Sequence, residues 1–470
     1  MNIASILTRE LGSSAVLEIP SDHAKYSTDM SGLGAFPPDL VVLPENEEQI
    51  RAVLRLAMEN QIPVTPRGGG TGLTGGAIPV QGGILMSFER MSRIKDIDPV
   101  SLVVVTEPGV VTADLLGTLE REGLFLPPNP ASMSQCTIGG NVAHNASGPR
   151  SFKYGPIKEY VNALNLCLIG GKVIRTGHAS VKGATGYDVT KFIVGSEGTL
   201  GVMSEMTLRL LPAPETRMTV LAYFPRLEDA GKAVLNILKG KQYPAALELI
   251  HQNCLIELTR AGKYDFPENI EAALLLEFDS TGCLDEAERG AAILRASGAN
   301  GSILLKGAEE QAAIWLIRRE VYRTMRQAYP ALVLEDVCVP RARVPELLMQ
   351  MQSLSMKYGF RFSTLGHIGE GNLHVGLLFK DPETVPKEEV RKFFHELVSY
   401  TLRVGGTLTG EHGISFKKKE YLGWVASPDL IQIQKSMKAC FDPTGLMNPG
   451  KIFPSDGEKS RTQIEQAIRL

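Results

Sequence analysis

The chain has 470 residues, of which 43% are hydrophobic and 21% charged, and its formal net charge is −3. This length predicts two or three domains, and the small net charge gives no electrostatic basis for binding nucleic acid. Six cysteines without a CxxC pair argue against an iron–sulfur cluster, a zinc ribbon or a disulfide framework. No apolar run approaches membrane-spanning length and no signal peptide is recognised, so a cytoplasmic location is expected, with any membrane contact peripheral and through a partner.

The first predicted element is an amphipathic helix at residues 46–60. Its apolar side chains recur at helical spacing, and Asn46 with Gln49 resembles a capping box at its start. Short strands are predicted at 62–65 and 83–87. These two strands lie on either side of a glycine-rich stretch.

That stretch is PRGGGTGLTGG at residues 66–76. Its glycines permit positive φ and close approach of a ligand, successive N–H groups suit a phosphate, and Arg67 adds a planar fork of positive charge. The stretch therefore predicts a site for a pyrophosphate-bearing cofactor. Pro79 and the glycine pair after it exclude the helix that a nicotinamide-binding Rossmann unit needs. The alternative is a surface turn without a ligand.

Two later stretches share this small, hydrogen-bonding character. After a strand at 102–107 and a helix at 111–123, one loop is predicted at 127–148, which includes TIGGNVAHNASG. The other stretch covers 183–188 and 195–202. Small side chains here would let a large planar group lie against the backbone. Each loop alone is compatible with ordinary turn chemistry, whereas the three together predict one cofactor groove.

Beyond residue 215 strands and helices alternate without glycine-rich loops, which suggests a separate α+β domain resembling a ferredoxin-like sheet. The predicted strands are 218–224, 272–278 and 302–305, and the predicted helices are 227–238, 284–297 and 311–328. The last helix carries Arg318, Arg319, Arg323 and Arg326. For at least three of these arginines the pattern indicates only a solvated face.

Next comes a predicted hairpin that is flanked by histidines. Its strands, 360–365 and 373–379, are joined by a glycine-containing turn, and His367 and His374 lie on either side of that turn. A helix predicted at 387–404 then leads to a second glycine-flanked histidine segment.

The second segment carries Glu411 and His412 between two glycines. Two imidazoles, His367 and His374, with one carboxylate form a plausible ligand set for a divalent metal with open positions. His412 beside that carboxylate is a candidate general base. The alternative is two structural histidines and a surface Glu-His pair, because this histidine spacing is not a specific metal pattern.

Taken together, the chain resembles the FAD-linked oxidases of the vanillyl-alcohol oxidase and p-cresol methylhydroxylase superfamily, and within it the D-2-hydroxyacid dehydrogenases. The resemblance depends on PRGGGTGLTGG, TIGGNVAHNASG, GSEGTLG, GHIGEGNLH, GEHG and NPGK in this order. It implies an α+β architecture. A two-subdomain PCMH-type FAD-binding domain would span 1–215, a ferredoxin-like substrate (cap) domain 216–405, and a C-terminal segment, 406–470, would complete the flavin and active sites.

The resemblance also implies the residues of the site. FAD, bound noncovalently, would contact the three loops and the NPGK turn through Arg67, Gly68, Gly69, Gly70, Thr71, Gly72, Gly76, Pro130, Ser134, Thr137, Gly139, Gly140, Asn141, Ala143, Ser147, Gly148, Glu197, Gly198, Val202 and Asn448. In such relatives the positions of His367, His374 and Glu411 ligate a divalent metal (Zn, Mn or Fe). The position of His412 is the base, and that of Arg318 pairs with the substrate carboxylate.

The implied reaction oxidises a small 2-hydroxy acid to the 2-oxo acid by hydride transfer to the flavin. Electrons would then leave to a quinone, a cytochrome, an electron-transfer flavoprotein or an iron–sulfur subunit, and the chain would be a homodimer or a subunit of a complex. Relatives specific for D-2-hydroxyglutarate carry a lysine in the stretch matching 334–336 and an asparagine at the place of Gly376. Both are absent here, which favours D-lactate or glycolate. Ser415 replaces a glycine that is usual in the family, with an effect that the sequence leaves open.

Two other interpretations stay open at this point. An alkyldihydroxyacetone-phosphate synthase-like flavoprotein would share the FAD domain but should lack the histidine and carboxylate set. A non-catalytic flavin-binding subunit of a larger complex is the third interpretation, against which Arg318 and His412 speak. Bleaching of the flavin by a 2-hydroxy acid distinguishes these interpretations.

Overall fold

The computed structural model describes residues 3–18, 24–180 and 182–454. The chain divides into two compact units. The first unit contains the described residues up to Ala146, Pro156–Ala213 and the described residues from Glu411 onward, and the second contains Ser147–Gly155 and Pro214–Gly410. Both units combine helices with sheets, which are antiparallel in the second unit and of both kinds in the first, and this confirms the predicted α+β class.

The first unit contains three sheets. A four-stranded sheet has the spatial order Val16–Glu18, Leu40–Val42, Ile84–Ser87 and Val64–Arg67, and its last three strands are parallel. A five-stranded antiparallel sheet has the order Ile94–Asp98, Val103–Thr106, Val202–Arg209, Val161–Cys167 and Val173–Gly177. A small third sheet pairs Leu211–Pro212 with Leu124–Phe125.

The helices of the first unit include the one predicted at 46–60. That helix spans Glu47–Glu59, and the Asn46 side chain caps it by accepting a hydrogen bond from the Gln49 N–H. The other α-helices in this unit are Ile3–Leu11, Ala24–Ser27, Thr112–Arg121, Ile138–His144, Val189–Ile193, Leu422–Val425 and Pro428–Phe441. Ile50, Val53 and Leu54 of the capped helix are fully buried in a core that also includes Met447 from the C-terminal segment.

The second unit is built on a seven-stranded antiparallel sheet. Its spatial order is Gly301–Leu305, Met218–Phe224, Ala272–Phe278, Ala246–His251, Phe362–Gly366, Asn372–Leu377 and Val333–Cys338. Numbered along the chain, the first four strands have the order 4-1-3-2, which is the ferredoxin-like arrangement predicted for this region.

Helices cover this sheet and complete its core. They are Ser151–Tyr154, Leu227–Lys239, Gln252–Arg260, Cys283–Ala296, Ala308–Ala328, Val344–Tyr358 and Lys387–Arg403. Ile314, Val321 and Met325 of the long Ala308–Ala328 helix are buried against apolar side chains of the sheet. That helix therefore turns one face inward, and Arg318 lies on this face.

One prediction of local structure is wrong. The stretch 127–148 was expected to be a loop, but Ile138–His144 within it is a helix. The Thr137 side chain caps its start, and Gly139 lies so close to Pro108 that a Cβ there would be 2.8 Å from the Pro108 carbonyl oxygen. Tertiary packing and a cap thus outweigh the low helix propensity of two glycines. None of the helices in the described part of the chain combines the length and apolarity needed to cross a membrane.

Candidate functional site

In the first unit the glycine-rich stretch packs against the start of the Ile138–His144 helix. A Cβ on Gly68 would be 2.5 Å from Thr137 Oγ1 and 3.3 Å from Gly140 Cα. A Cβ on Gly69 would overlap the carbonyl oxygen of Gln135. Only glycine allows two backbones to approach this closely. The first two predicted cofactor loops therefore form one backbone-lined surface.

Arg67 braces this stretch from within. Its side chain is buried, its Nη1 donates to the Ala77 carbonyl oxygen at 3.1 Å, and a Cβ on Gly70 would overlap its guanidinium. Burial lowers the pKa of Arg67, and the nearby Asp29 carboxylate opposes that shift. The Arg67 guanidinium thus stabilises the curved backbone of the glycine-rich stretch and also places a positive charge beside it.

The NPGK turn ties the C-terminal segment to the same surface through Asn448. The Asn448 N–H donates to the Val64 carbonyl oxygen at 2.8 Å. Its side-chain Nδ2 donates to the carbonyl oxygens of Gly76 at 2.9 Å and Glu197 at 2.8 Å. One side chain therefore joins the glycine-rich stretch to the third predicted loop, and all three loops and the turn meet within the first unit.

Four buried polar atoms at this meeting point have no hydrogen-bond partner among the described residues: His144 Nε2, Glu197 Oε2, Ser415 Oγ and Asn448 Oδ1. An unsatisfied buried polar group costs about 1–3 kcal/mol, so such a cluster needs a ligand or water. These four atoms include hydrogen-bond donors and acceptors, which suit the hydroxyls, carbonyls and N–H group of FAD. The residues present fit this cofactor.

The backbone here is strained as well. Glu197, Ser415 and Asn448 have φ values of 53°, 34° and 43°, in the left-handed region that favours glycine. Non-glycine residues in this region carry a cost of about 1–3 kcal/mol each and cluster at functional sites. The strain coincides with the unsatisfied atoms, which supports a binding role for this part of the first unit.

The other predicted FAD contacts are divided between the two units, and most of them lie in the first. All but Ser147 and Gly148 lie in the first unit, while those two begin the Ser147–Gly155 segment of the second unit. Asn141 is buried and its Nδ2 donates to Thr112 Oγ1 at 2.7 Å, so its side chain serves the local structure. Val202 is buried at the start of its strand.

In the second unit, Arg318 and His367 meet at one buried carboxylate, Glu248. Its Oε2 accepts a hydrogen bond from Arg318 Nε at 2.9 Å and forms an ion pair with Arg318 Nη2 at 2.5 Å, and its Oε1 lies 2.6 Å from His367 Nδ1. All three residues are buried. Burial alone raises the pKa of Glu248, but the contacts with His367 and Arg318 outweigh this effect and the pKa is lowered. Glu248 is therefore an ionised carboxylate.

His374 has a comparable carboxylate neighbour, Asp336. His374 Nδ1 lies 3.6 Å from Asp336 Oδ1, and the rings of His367 and His374 are 5.6 Å apart between centroids. Asp336 also accepts from Asn372 Nδ2 at 2.5 Å and from Thr409 Oγ1 at 2.6 Å. Because Glu248 is at hydrogen-bond distance from His367 Nδ1, Nε2 of His367 is the nitrogen that can bind a metal ion, which is the arrangement of metal-ligating histidines. The two histidines fit a metal site.

The other two predicted active-site residues, Glu411 and His412, lie in the first unit. His412 Nε2 is 3.8 Å from Glu411 Oε1, and the His412 carbonyl oxygen accepts from Thr74 Oγ1 at 2.9 Å. The turn that carries them is thereby attached to the glycine-rich stretch. Each unit thus gathers a part of the predicted catalytic set.

Glu248 and Asp336 are candidate site residues that the sequence prediction missed. Both are fully buried in strands whose other residues are mainly apolar, such as Ala246–His251. An acidic residue within an apolar strand is rarely buried without a partner. That signal was available in the sequence, although it does not identify the partner.

Two family models match the chain. One is described as "FAD linked oxidases, C-terminal domain" and matches residues 213–452. The other is described as "FAD binding domain" and matches residues 38–177. Together they cover parts of both units.

Curated relatives are similar over almost the whole chain. The Bacillus subtilis protein named glycolate oxidase subunit GlcD is 36% identical over 438 residues, covering 92% of this chain and 93% of that protein. A D-lactate dehydrogenase of Anaerostipes hadrus is 33% identical and covers 90% of this chain and 91% of its own length. A D-lactate dehydrogenase of Archaeoglobus fulgidus is 36% identical, covering 88% and 91%.

Solved structures share the fold at low identity. A p-cresol methylhydroxylase with substrate bound aligns with a TM-score of 0.76 at 18% identity and covers 96% of both chains. An alkyldihydroxyacetonephosphate synthase aligns with a TM-score of 0.74 at 19% identity, covering 95% of this chain and 84% of that one. These likenesses establish the PCMH-type fold and nothing about the substrate.

Proposed function

The chain belongs to the family of FAD-linked oxidases, and on this premise we propose that it oxidises a small D-2-hydroxy acid to the 2-oxo acid with FAD as hydride acceptor. Relatives named glycolate oxidase subunit and D-lactate dehydrogenase support this reaction class. The observation that carries the proposal is the buried trio of Arg318, Glu248 and His367. These residues form a buried charged cluster in the second unit, and the stability of the fold does not by itself require such a cluster.

FAD is proposed to bind in the first unit, on the surface formed by the glycine-rich stretch, the Ile138–His144 helix and the NPGK turn. When bound, the flavin ring would accept a hydride, that is one proton with two electrons, from the substrate carbon. The backbone N–H groups of the glycine-rich stretch would hold the pyrophosphate. Glu197 and Asn448 would accept hydrogen bonds through the oxygens Oε2 and Oδ1, which lack partners among the described residues.

Arg318 is proposed to bind the substrate carboxylate. Its Nε donates to Glu248 and its Nη2 forms an ion pair with the same oxygen, which leaves Nη1 as a donor that can be presented to a ligand. A guanidinium held by one carboxylate presents its remaining N–H groups in a fixed orientation. This would bind and orient the 2-hydroxy acid with little loss of entropy.

A divalent metal is proposed to bind at His367 and His374. Glu411 is proposed as a third ligand, and this assignment depends on the sequence resemblance alone. A metal bound there would polarise the α-hydroxyl as a Lewis acid. Glu248 would hold the His367 imidazole in the tautomer that binds through Nε2. His412, again on the resemblance, would accept the hydroxyl proton while the hydride leaves the carbon.

The surroundings of Gly376 support a small substrate, D-lactate or glycolate. Gly376 lies opposite Leu334 on the neighbouring strand, and a Cβ on Gly376 would be 2.7 Å from Leu332 Cδ1. An asparagine at this position would therefore displace an apolar side chain. We propose that the second carboxylate of D-2-hydroxyglutarate lacks here the lysine and the asparagine that relatives specific for it carry, and that electrons leave the reduced flavin to a partner protein or a quinone.

Anaerobic titration of the FAD-loaded protein with D- and L-lactate, glycolate and D-2-hydroxyglutarate, followed by flavin absorbance, tests the proposal. We expect bleaching by D-lactate or glycolate, loss of bleaching after treatment with a chelator, and recovery with Zn²⁺ or Mn²⁺. Bleaching that a chelator does not affect would contradict the metal. Absence of bleaching with all four acids would overturn the oxidation itself and favour a non-catalytic flavin-binding subunit.

A further inference from the structure

His144 and Ser415 are two polar residues that the proposed function leaves unused, and both face Gly76 in the first unit. A Cβ placed on Gly76 would be 3.1 Å from His144 Nε2 and 3.4 Å from Ser415 Oγ. Both atoms are buried, and neither has a hydrogen-bond partner among the described residues. Two unsatisfied polar atoms thus converge on one point of the glycine-rich stretch.

One edge of the His144 imidazole lies against the glycine-rich stretch. His144 is the last residue of the Ile138–His144 helix, and a Cβ on Gly72 would also be 3.4 Å from its Nε2. Glycines at 72 and 76 therefore leave room for this edge and for whatever lies beside it. An imidazole nitrogen can donate or accept according to its tautomer, so Nε2 suits either kind of ligand group.

Ser415 is fixed by its backbone, which leaves its hydroxyl for a ligand. Its N–H donates to Glu197 Oε1 at 3.3 Å, and its carbonyl oxygen accepts from the Ile452 N–H at 3.0 Å. The residue is fully buried with a φ of 34°. A serine held in a strained conformation with an unsatisfied hydroxyl in the core is costly unless the hydroxyl binds something.

The position of this pair points to the flavin half of FAD. Ser415 lies on the same turn as His412, whose carbonyl oxygen is bonded to Thr74 of the glycine-rich stretch. The proposed base must act next to the ring that accepts the hydride, so polar atoms on its turn are expected near that ring. We propose that His144 Nε2 and Ser415 Oγ are additional ligands of the flavin half of the bound FAD, an inference that rests on the proposed function.

The pair would complete a mixed set of donors and acceptors. Glu197 Oε2 and Asn448 Oδ1 can only accept, so they suit an N–H or a hydroxyl of the cofactor. The Ser415 hydroxyl and the His144 ring can donate, so they suit a flavin carbonyl or ring nitrogen. The four atoms together would recognise a ligand edge that carries both kinds of group, as the polar edge of a flavin does.

Binding of FAD to the cofactor-free full-length protein tests this inference. The variants are His144→Ala, His144→Gln and Ser415→Ala, with His178→Ala and Ser436→Ala as controls because both residues are exposed in the same unit. Loss of one hydrogen bond of about 0.5–1.5 kcal/mol should weaken FAD binding about three- to tenfold. We expect this loss in His144→Ala and Ser415→Ala, partial recovery in His144→Gln, and a shifted absorption spectrum of the bound flavin.

The affinity for ADP, measured by competition, locates the contact. If the pair binds the flavin half, its variants should bind ADP as tightly as the wild type, which also shows that they are folded. Wild-type FAD affinity and spectrum in both His144→Ala and Ser415→Ala would overturn the inference, and so would an equal loss of ADP affinity. Failure of the wild type to bind FAD at all would instead overturn the proposed function, together with this inference.

Discussion

Glu248 Oε1 lies 2.6 Å from His367 Nδ1, while the other oxygen of the same carboxylate accepts a hydrogen bond from Arg318 Nε and forms an ion pair with Arg318 Nη2. One buried side chain thus sets the orientation of the residue proposed to bind the metal and of the residue proposed to bind the substrate. Because Glu248 touches neither ligand in this scheme, it is a positioning residue.

We therefore expect Glu248→Gln to weaken metal binding and substrate binding together. The amide can no longer accept from both partners as an anion, and loss of such an outer carboxylate typically lowers metal affinity about 10- to 100-fold. Metal affinity by competition with a coloured chelator, and the substrate concentration for half-maximal flavin reduction, measure the two effects.

Glu277→Gln is the matched control. Glu277 is also a buried carboxylate in the same sheet, paired with Arg150 at 2.7 Å, but it contacts neither His367 nor Arg318. Its variant should lower the free energy of unfolding without a selective change in metal affinity. Equal metal affinity in Glu248→Gln and the wild type would contradict the positioning role.

Arg318→Lys should impair binding of the 2-hydroxy acid although it conserves the charge. A lysine has one donor atom and cannot bond Glu248 and a carboxylate in the planar geometry of a guanidinium. Loss of a charge-assisted hydrogen bond of about 1.5–3 kcal/mol predicts a rise of about 10- to 100-fold in the substrate concentration for half-maximal flavin reduction. Arg323→Lys, on the exposed part of the same helix, should leave it unchanged. Similar values for both variants would argue against the proposed contact.

Gly69→Ala should reduce FAD binding through the backbone. Its Cβ would overlap the Gln135 carbonyl oxygen, so the glycine-rich stretch must separate from the loop before Thr137. Overpacking of about 1–3 kcal/mol predicts an FAD affinity lower by roughly ten- to a hundredfold. Gly117→Ala is the control, because its Cβ would meet only the end of the flexible Arg121 side chain, at 3.8 Å, and alanine favours a helix. FAD titration by quenching of flavin fluorescence measures both.

Helices and strands that depend on a local pattern of apolar residues could be predicted closely from the sequence. The strands 218–224 and 272–278 agree with the structure to the residue, because their apolar runs are bounded by polar residues and lie in a ferredoxin-like order. The Ile138–His144 helix was missed because its stability comes from Thr137 and from packing of Gly139 on Pro108, neither of which is a local propensity.

The candidate site was only partly predictable for the same reason. Arg318 could be singled out from its neighbours only by family resemblance, since the pattern alone indicates a solvated face. In the structure Arg318 is buried, Arg319 is half-buried, and Arg323 and Arg326 are exposed. The bond to Glu248 joins residues 70 positions apart, and no local pattern contains it.

Lys451 offers a test through pH. It is buried in the first unit, and its Nζ donates to the carbonyl oxygens of Gly75 and, at 2.8 Å, Ile78. Burial lowers the pKa of Lys451 to about 7; Asp29 and Glu197 oppose this shift and Lys419 adds to it. A neutral amine has two N–H groups, which match the two carbonyl acceptors.

The sign of the pH effect follows from the lowered pKa. Between about pH 7 and the unfolded value near 10.5, the unfolded chain binds a proton at Lys451 that the folded chain does not, so the free energy of unfolding rises with pH in this window. Below pH 7 the proton is bound in both states and the cost of the buried charge is fully present. One pKa unit corresponds to about 1.4 kcal/mol, so the rise should reach a few kcal/mol.

We expect Lys451→Met to remove this rise. The variant should be less stable than the wild type at pH 10, because two carbonyl oxygens lose their donor, and the difference should shrink or reverse towards pH 7. Urea unfolding of both proteins at several pH values between 7 and 10, each referred to Lys172→Met as an exposed-lysine control, isolates the contribution of Lys451 from other titrating groups. A stability difference between Lys451→Met and the wild type that is constant over this range would show that Lys451 stays protonated when buried, and that its ammonium group rather than a neutral amine holds the glycine-rich stretch.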